Sequence, residues 1–258
     1  MNSKIKKILS KKNKTKIICL TAYTKNFSEI LDEYTDIILV GDSLGSVLYS
    51  FDSTKKVTLD MMIEHAKSVR QGIKKSLMVV DMPYNTYRNK IEALKNAKKI
   101  IKYTKADAVK LEGGKKIVNI IEHLRKNEIN VMGHLGILPQ SQKGKFRHKG
   151  KTSFERKNLL TDSQLLQKSG VFSIVLECIE TKLAKKITQK LKIPTIGIGS
   201  SVNCDGQVLV TDDLIGLNLT TIKFVKSFQN IRKHIKLAIR KFSMDVKKNK
   251  YPSKKYSY

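Results

Sequence analysis

Ala108-Val109-Lys110-Leu111-Glu112-Gly113-Gly114 is the stretch on which the fold turns. Apolar residues alternate with a lysine and a glutamate, and two glycines end the run, so the pattern predicts a buried strand leading into a tight turn. Lys110 and Glu112 are two residues apart and leave the same face of that strand. A lysine is costly to bury alone, so Lys110 is paired with a neighbouring carboxylate or held for an anionic ligand, and both uses together are expected. Working outward, an amphipathic helix is expected before the strand, over 90–104, and another after it, over 115–126. Helix and strand in that rhythm are the βαβ units of a parallel sheet.

The rhythm extends in both directions. Short apolar or β-branched runs at 17–21, 37–41, 77–81, 108–112, 130–135, 172–177, 194–199 and 207–210 give eight strands. Further helices are expected over 26–33, 59–72, 162–168 and 182–190, with a closing helix from 223 onward and with Thr58 and Thr161 at N-cap positions. Eight parallel strands close into a barrel, so the expected fold is α/β, a single-domain (β/α)8 TIM barrel over 16–243. A basic segment at 1–15 is expected to pack on the barrel as a helix, and 244–258 is expected to be a basic, solvated tail.

Barrel enzymes carry their chemistry at the C-terminal ends of the strands. Asp42, Asp81, Glu112, His134 and Glu177 all fall there. Any one of them alone would serve as a turn or cap residue. Four carboxylates and a histidine recurring at one edge point instead to a shared mouth, where mutually repelling carboxylates need a cation between them. His134 orients a ligand or is a structural histidine; the residues alone leave both open. The segment 136–157 is polar, basic and long for a connection after a strand, which makes it a lid or interface candidate. No GxGxxG or P-loop pattern supports a dinucleotide or ATP site.

Composition narrows the classes. A chain of 258 residues with 40% hydrophobic content suits one barrel. No apolar run is long enough to span a bilayer and residues 1–16 lack a secretory apolar stretch, so a soluble, cytoplasmic protein is expected, with no membrane partner. Cys19, Cys178 and Cys204 have neither disulfide nor zinc spacing and read as free thiols. The net charge of +29 raises a basic nucleic-acid-binding protein as an alternative. Only seven of the 51 basic residues are Arg, and the lysines are spread along the chain rather than gathered on a reading face, so no nucleic-acid partner is expected.

Several segments resemble a known family. Leu20-Thr21-Ala22-Tyr23, Val40-Gly41-Asp42-Ser43-Leu44-Gly45, Val109-Lys110-Leu111-Glu112-Gly113-Gly114, Met132-Gly133-His134-Leu135-Gly136, Pro139-Gln140-Ser141, Val175-Leu176-Glu177-Cys178 and Cys204-Asp205-Gly206-Gln207 resemble, in order and spacing, the signatures of ketopantoate hydroxymethyltransferases. The resemblance runs over 16–228. It implies a Mg2+-dependent enzyme, a homo-oligomer (a homodecamer in the family), that makes 2-dehydropantoate from 3-methyl-2-oxobutanoate and the co-substrate 5,10-methylenetetrahydrofolate through a metal-stabilised enolate. Carried onto this chain, it implies Asp42, Asp81 and Glu112 as metal ligands, with Glu112 joined directly or through water. It implies Asp42, Ser43, Asp81 and Lys110 as substrate binders and Glu177 as general base, with His134 a secondary candidate.

The sequence also departs from the family. Phe146-Arg147-His148-Lys149-Gly150-Lys151 stands where a Tyr-Lys-Val-Gln-Gly-Lys-like segment is usual, the loop over 47–55 lacks the usual glycine, and 214–223 is short. These fall on the lid and folate side and on the oligomer contacts. The alternative enzyme class, a phosphoenolpyruvate mutase or lyase-like barrel, shares Mg2+ and an enolate but calls for a reactive cysteine in a Gly-His context, and no such motif is present.

Overall fold

A computed structural model describes residues 2–141, 147–218 and 222–258 of the chain. Residues 142–146, which include Gly144 and Phe146 of the expected lid, and residues 219–221 of the short 214–223 segment lie outside the described residues.

Eight parallel strands close into a barrel in sequence order, which is the expected (β/α)8 TIM barrel: β1 (Ile17–Thr21), β2 (Ile37–Val40), β3 (Leu77–Asp81), β4 (Ala108–Glu112), β5 (Val131–Gly136), β6 (Ser173–Glu177), β7 (Thr195–Ile198) and β8 (Gly206–Leu209). β8 pairs with β1, Val208 opposite Cys19, so no edge strand remains unpaired. In the unit that ends at Val210 the helices are α1 (Ser3–Ser10), α2 (Lys25–Leu31), α3 (Leu44–Tyr49), α4 (Leu59–Arg70), α5 (Lys90–Thr104), α6 (Val118–Lys126), α7 (Ser153–Lys168) and α8 (Thr181–Lys190). A second compact unit, Thr211–Tyr258, holds α9 (Thr211–Leu214) and α10 (Ile231–Lys247), a helix with no buried residue.

Local chemistry sets the helix starts. Thr58 caps α4 as expected, its side chain accepting from the Met61 N–H at 3.2 Å. Thr161 caps nothing, because α7 begins nine residues earlier than the apolar pattern suggests. There Thr152 accepts from the Glu155 N–H at 3.1 Å, and the Thr-x-x-Glu spacing is that of a capping box. The closing helix starts at Ile231 rather than 223, where Asn230 accepts from the Lys233 N–H at 3.0 Å.

Alternation along each strand decides which side chains enter the barrel. Val80, Val109, Leu111, Ile174 and Leu176 point outward into the buried layer beneath the helices. Leu77, Val79, Ala108, Met132 and Val175 form a separate inner cluster, and Asp81, Lys110, Glu112, His134 and Glu177 continue the same parity one layer higher. The foot of the barrel is filled by α1. Ile5 and Ile8, 0% and 2% exposed, join the inner cluster, each burial contributing about 1.5–3 kcal/mol. Aspartates just before three strands hold that plug: Asp107 accepts from Asn2 Nδ2 at 2.7 Å, Asp36 pairs with Lys11 at 2.6 Å and Asp205 with Lys12 at 2.8 Å. The foot is closed with hydrocarbon, and charge gathers at the other mouth.

Candidate active site

Strand register brings the charged residues together. Asp81 on β3 lies opposite Lys110 on β4, and Glu112 on β4 lies opposite His134 on β5. Asp42 follows β2 after Gly41, and its own N–H donates to Asp81 Oδ2 at 3.1 Å. Lys110 Nζ sits 2.8 Å from Asp81 Oδ1, so the buried ammonium has a carboxylate partner. His134 stands between two carboxylates, Nδ1 3.3 Å from Glu112 Oε1 and Nε2 3.1 Å from Glu177 Oε2. Ser43 receives a 2.8 Å contact from the Tyr23 hydroxyl. Asp42, Asp81, Lys110, Glu112 and His134 are all buried, whereas the Glu177 side chain keeps 18% of its surface open.

Gln140 was not singled out from the sequence, although it lies in the quoted Pro139-Gln140-Ser141 segment. It is buried and ties the cluster to the connection after β5. Its Nε2 donates to Asp42 Oδ2 at 2.8 Å and to the Met82 carbonyl at 3.0 Å, and its backbone N–H donates to Glu112 Oε2 at 3.1 Å. Tyr87 donates to Gln140 Oε1 at 2.6 Å.

The electrostatics follow from burial and crowding. Burial first, then repulsion from Asp81 and Glu112, pushes the Asp42 carboxyl up to about 7. Burial also raises Asp81, against the pull of Lys110. Burial works against the Lys110 ammonium, but Asp81, Asp42 and Glu112 outweigh it and hold its pKa above the usual lysine range. Burial and Lys110 oppose a charge on His134; Glu112 and Glu177 overcome them and lift it to about 9, an imidazolium at neutral pH. Burial would raise Glu112, yet His134, Lys110 and the Gln140 N–H bring it below its ordinary value.

Were all four carboxylates ionised they would exceed the two cations by two charges; that crowding raises Asp42 and Asp81, and a divalent cation would relieve it. The donors are hard carboxylate oxygens, and Asp81 Oδ1 is buried without a well-aligned hydrogen bond. The donor chemistry therefore fits a divalent ion. Among the described residues no three His, Cys, Asp or Glu side chains already form a metal cage, since Asp81 turns to Lys110, Asp42 to Gln140 and Glu112 to His134.

The model of the family described as ketopantoate hydroxymethyltransferase matches residues 2–254. The chain is 67% identical over 258 residues, covering 100% of both sequences, to the 3-methyl-2-oxobutanoate hydroxymethyltransferase of Pelagibacter ubique (strain HTCC1062). The chain belongs to the ketopantoate hydroxymethyltransferase family. The enzyme of the same name from Anaplasma marginale (strain St. Maries) is 46% identical over 253 residues, 97% of this chain and 91% of that one. This member of the ketopantoate hydroxymethyltransferase family is thus an enzyme, and the mutase or lyase-like alternative is the weaker reading. Its barrel nevertheless resembles that class in shape. A phosphonopyruvate hydrolase, in complex with oxalate and Mg2+, superposes with a TM-score of 0.64 at 8% identity, covering 99% of this chain and 93% of the other. A 2,3-dimethylmalate lyase of the PEP mutase/isocitrate lyase superfamily gives 0.63 at 11% identity, with 100% and 89% covered. At such identities the likeness is one of fold.

Proposed function

We propose that this ketopantoate hydroxymethyltransferase family member transfers a hydroxymethyl group from 5,10-methylenetetrahydrofolate to 3-methyl-2-oxobutanoate, giving 2-dehydropantoate on the route to pantothenate and coenzyme A. The observation that carries the reading is the inner-face cluster, in which His134 joins Glu112 to Glu177 beside the Lys110–Asp81 pair.

Asp42 and Asp81 would hold a divalent cation, Mg2+, with Glu112 joined directly or through water, and the ion supplies the charge withdrawal that stabilises an enolate. Lys110 offsets the charge of the substrate carboxylate. Ser43, held by Tyr23, adds a hydroxyl contact. Glu177, whose side chain is 18% exposed against 3% for Asp81 and 2% for Glu112, takes the C3 proton, and the C3–H electron pair becomes the enolate π bond. C3 then bonds to the folate methylene carbon. The two C–N bonds of that carbon break, water provides the new hydroxyl, and the C3 proton and the remaining water proton end on the folate nitrogens. His134 orients Glu177. The family resemblance adds homo-oligomeric assembly and a cytoplasmic location to this reading; no described helix is long and apolar enough to cross a membrane.

The test is deuterium exchange at C3 of 3-methyl-2-oxobutanoate, followed by NMR without folate. Exchange should require a divalent metal, stop with a chelator and vanish in Asp42→Ala and Asp81→Ala. Glu177→Gln should still bind metal but lose exchange. Full exchange in both aspartate variants would refute their roles, and full exchange in Glu177→Gln would exclude it as the base.

A further inference from the structure

With six residues, α3 is too short to hold itself, since isolated helices are marginal below about 12–15 residues. Its start nevertheless sets one side of the site, because Ser43 immediately precedes it and the Ser43 hydroxyl caps no N–H of the helix. Tyr23 reaches that hydroxyl with its own at 2.8 Å. At the far end, Tyr49 is the last residue of α3, and its hydroxyl lies 2.9 Å from His65 Nε2. His65, on α4, places its other ring nitrogen, Nδ1, 2.8 Å from the Tyr23 carbonyl. The contacts close a circuit that runs from the Tyr23 side chain through Ser43, α3, Tyr49 and His65 back to the Tyr23 backbone.

We infer that His65 and Tyr49 are positioning residues for the oxo acid: their clasp holds α3 at its far end and so keeps the Ser43 hydroxyl where the substrate meets it. The inference rests on the reaction proposed above and deepens it by naming what aligns its substrate-binding serine. The two nitrogens of the ring suit the task. A carbonyl oxygen only accepts, which assigns a proton to Nδ1, and in the neutral ring Nε2 then accepts from the Tyr49 hydroxyl. One imidazole thus joins the connection after β1 to the end of α3. The Tyr49 ring meets His65 edge-on, at 86°, and stacks on Phe51 with centroids 5.4 Å apart. Between the two stacked rings the loop over 47–55, without the glycine usual in the family, turns at Ser50 with φ +54°. The aromatic clasp secures a turn that a glycine would make without strain.

The rest of the site has supports of its own. Asp42 is held by Gln140 through Oδ2 at 2.8 Å and by Asp81 through its N–H at 3.1 Å. Glu177 stands on β6, 3.1 Å from His134. Loosening α3 therefore costs the oxo acid its serine contact and leaves the acids in place, so the loss falls on substrate affinity rather than on the rate at saturation.

Deuterium exchange at C3 of the full chain, run without folate over a range of 3-methyl-2-oxobutanoate concentrations in excess Mg2+, separates half-saturation from limiting rate. Tyr49→Phe deletes one hydroxyl at a residue that is 44% exposed and keeps both ring contacts. It should raise the half-saturating concentration about fivefold, the equivalent of one hydrogen bond, and change the limiting rate by less than about twofold. His65→Asn sets an amide N–H near the place of Nδ1, keeps the bond to the Tyr23 carbonyl and should match Tyr49→Phe. His65→Phe loses both bonds and should raise half-saturation about 25-fold. Ser43→Ala removes the group being positioned, so adding Tyr49→Phe to it should change nothing further. Wild-type half-saturation in Tyr49→Phe and His65→Asn overturns the inference. A full fivefold loss on top of Ser43→Ala, or a loss confined to the limiting rate, overturns it too. In each of those cases exchange by the wild type leaves the proposed reaction standing. Wild-type protein that exchanges nothing overturns that reaction and the inference with it.

Discussion

His134 Nε2 lies 3.1 Å from Glu177 Oε2, and the opposite ring nitrogen lies 3.3 Å from Glu112 Oε1. One imidazole thereby stands between an acid of β4 and an acid of β6, within ion-pair distance of both although neither ring nitrogen makes a well-aligned hydrogen bond. His134→Asn keeps a polar side chain but cannot span both carboxylates. Exchange at C3 should fall about 100-fold. His134→Ala leaves two acids without their cation and should also cost about 3 kcal/mol in urea unfolding. Wild-type exchange in His134→Asn would show that Glu177 needs no such support.

Gln140 allows a sharper contrast, because its Nε2 serves two acceptors, Asp42 Oδ2 and the Met82 carbonyl. Gln140→Leu should lose about 1–3 kcal/mol by leaving buried acceptors unsatisfied. Gln140→Glu replaces that amide donor with a carboxylate facing Asp42, and should be the less stable of the two at pH 7. Thermal melts of both variants check the order. A Gln140→Glu protein as stable as the wild type would show that the amide does not bridge these acceptors.

The same residue marks what the sequence could reveal. The strands were legible because apolar runs at barrel spacing bury on both faces, and Lys110 and Glu112 share a face by simple alternation. Asp42, Asp81, His134 and Glu177 were legible because they end such runs. Gln140, Tyr87 and Tyr23 lie in connections with no periodicity, and an uncharged side chain gives no sign that it will be aimed inward. The early turns of α7 were hidden for a related reason: Glu155, Arg156 and Lys157 read as loop, and only the Thr152–Glu155 capping pair betrays a helix start. α3 escaped because six residues are too few to show a helical period.

Away from the site, Asp32 gathers backbone donors where α2 ends. Its carboxylate accepts from Lys74 N–H at 2.9 Å, Lys75 at 2.9 Å and Ser76 at 2.7 Å. Burial would raise its pKa, but these bonds outweigh that and hold it below the ordinary aspartate value. A lowered folded-state pKa gives stability that is complete above the unfolded value, about 4, and is lost as pH falls through the folded one. Asp32→Asn should cost about 1–3 kcal/mol at pH 7, with the gap to wild type narrowing below about pH 4. Urea midpoints at neutral and acid pH measure it. A gap that stays constant across that range would mean that ionisation of Asp32 adds nothing.

Gly136 links the backbone to the chemistry. It closes β5 at φ +104°, a region that side chains rarely adopt, and a Cβ there would overlap the Glu177 carbonyl. That carbonyl is also the acceptor for the Ile137 N–H at 2.9 Å, so the two strand ends are locked together at the residue assigned as base. Gly136→Ala cannot relieve the overlap without moving one of them. Because Glu177 must stay within hydrogen-bond reach of its proton, a displacement of about 1 Å should lower exchange about 100-fold, while oxo-acid binding changes little. Measuring exchange and binding on one sample separates the two effects. Equal loss of both would point to collapse of the whole mouth, and full exchange would mean that the contact between β5 and β6 does not position Glu177.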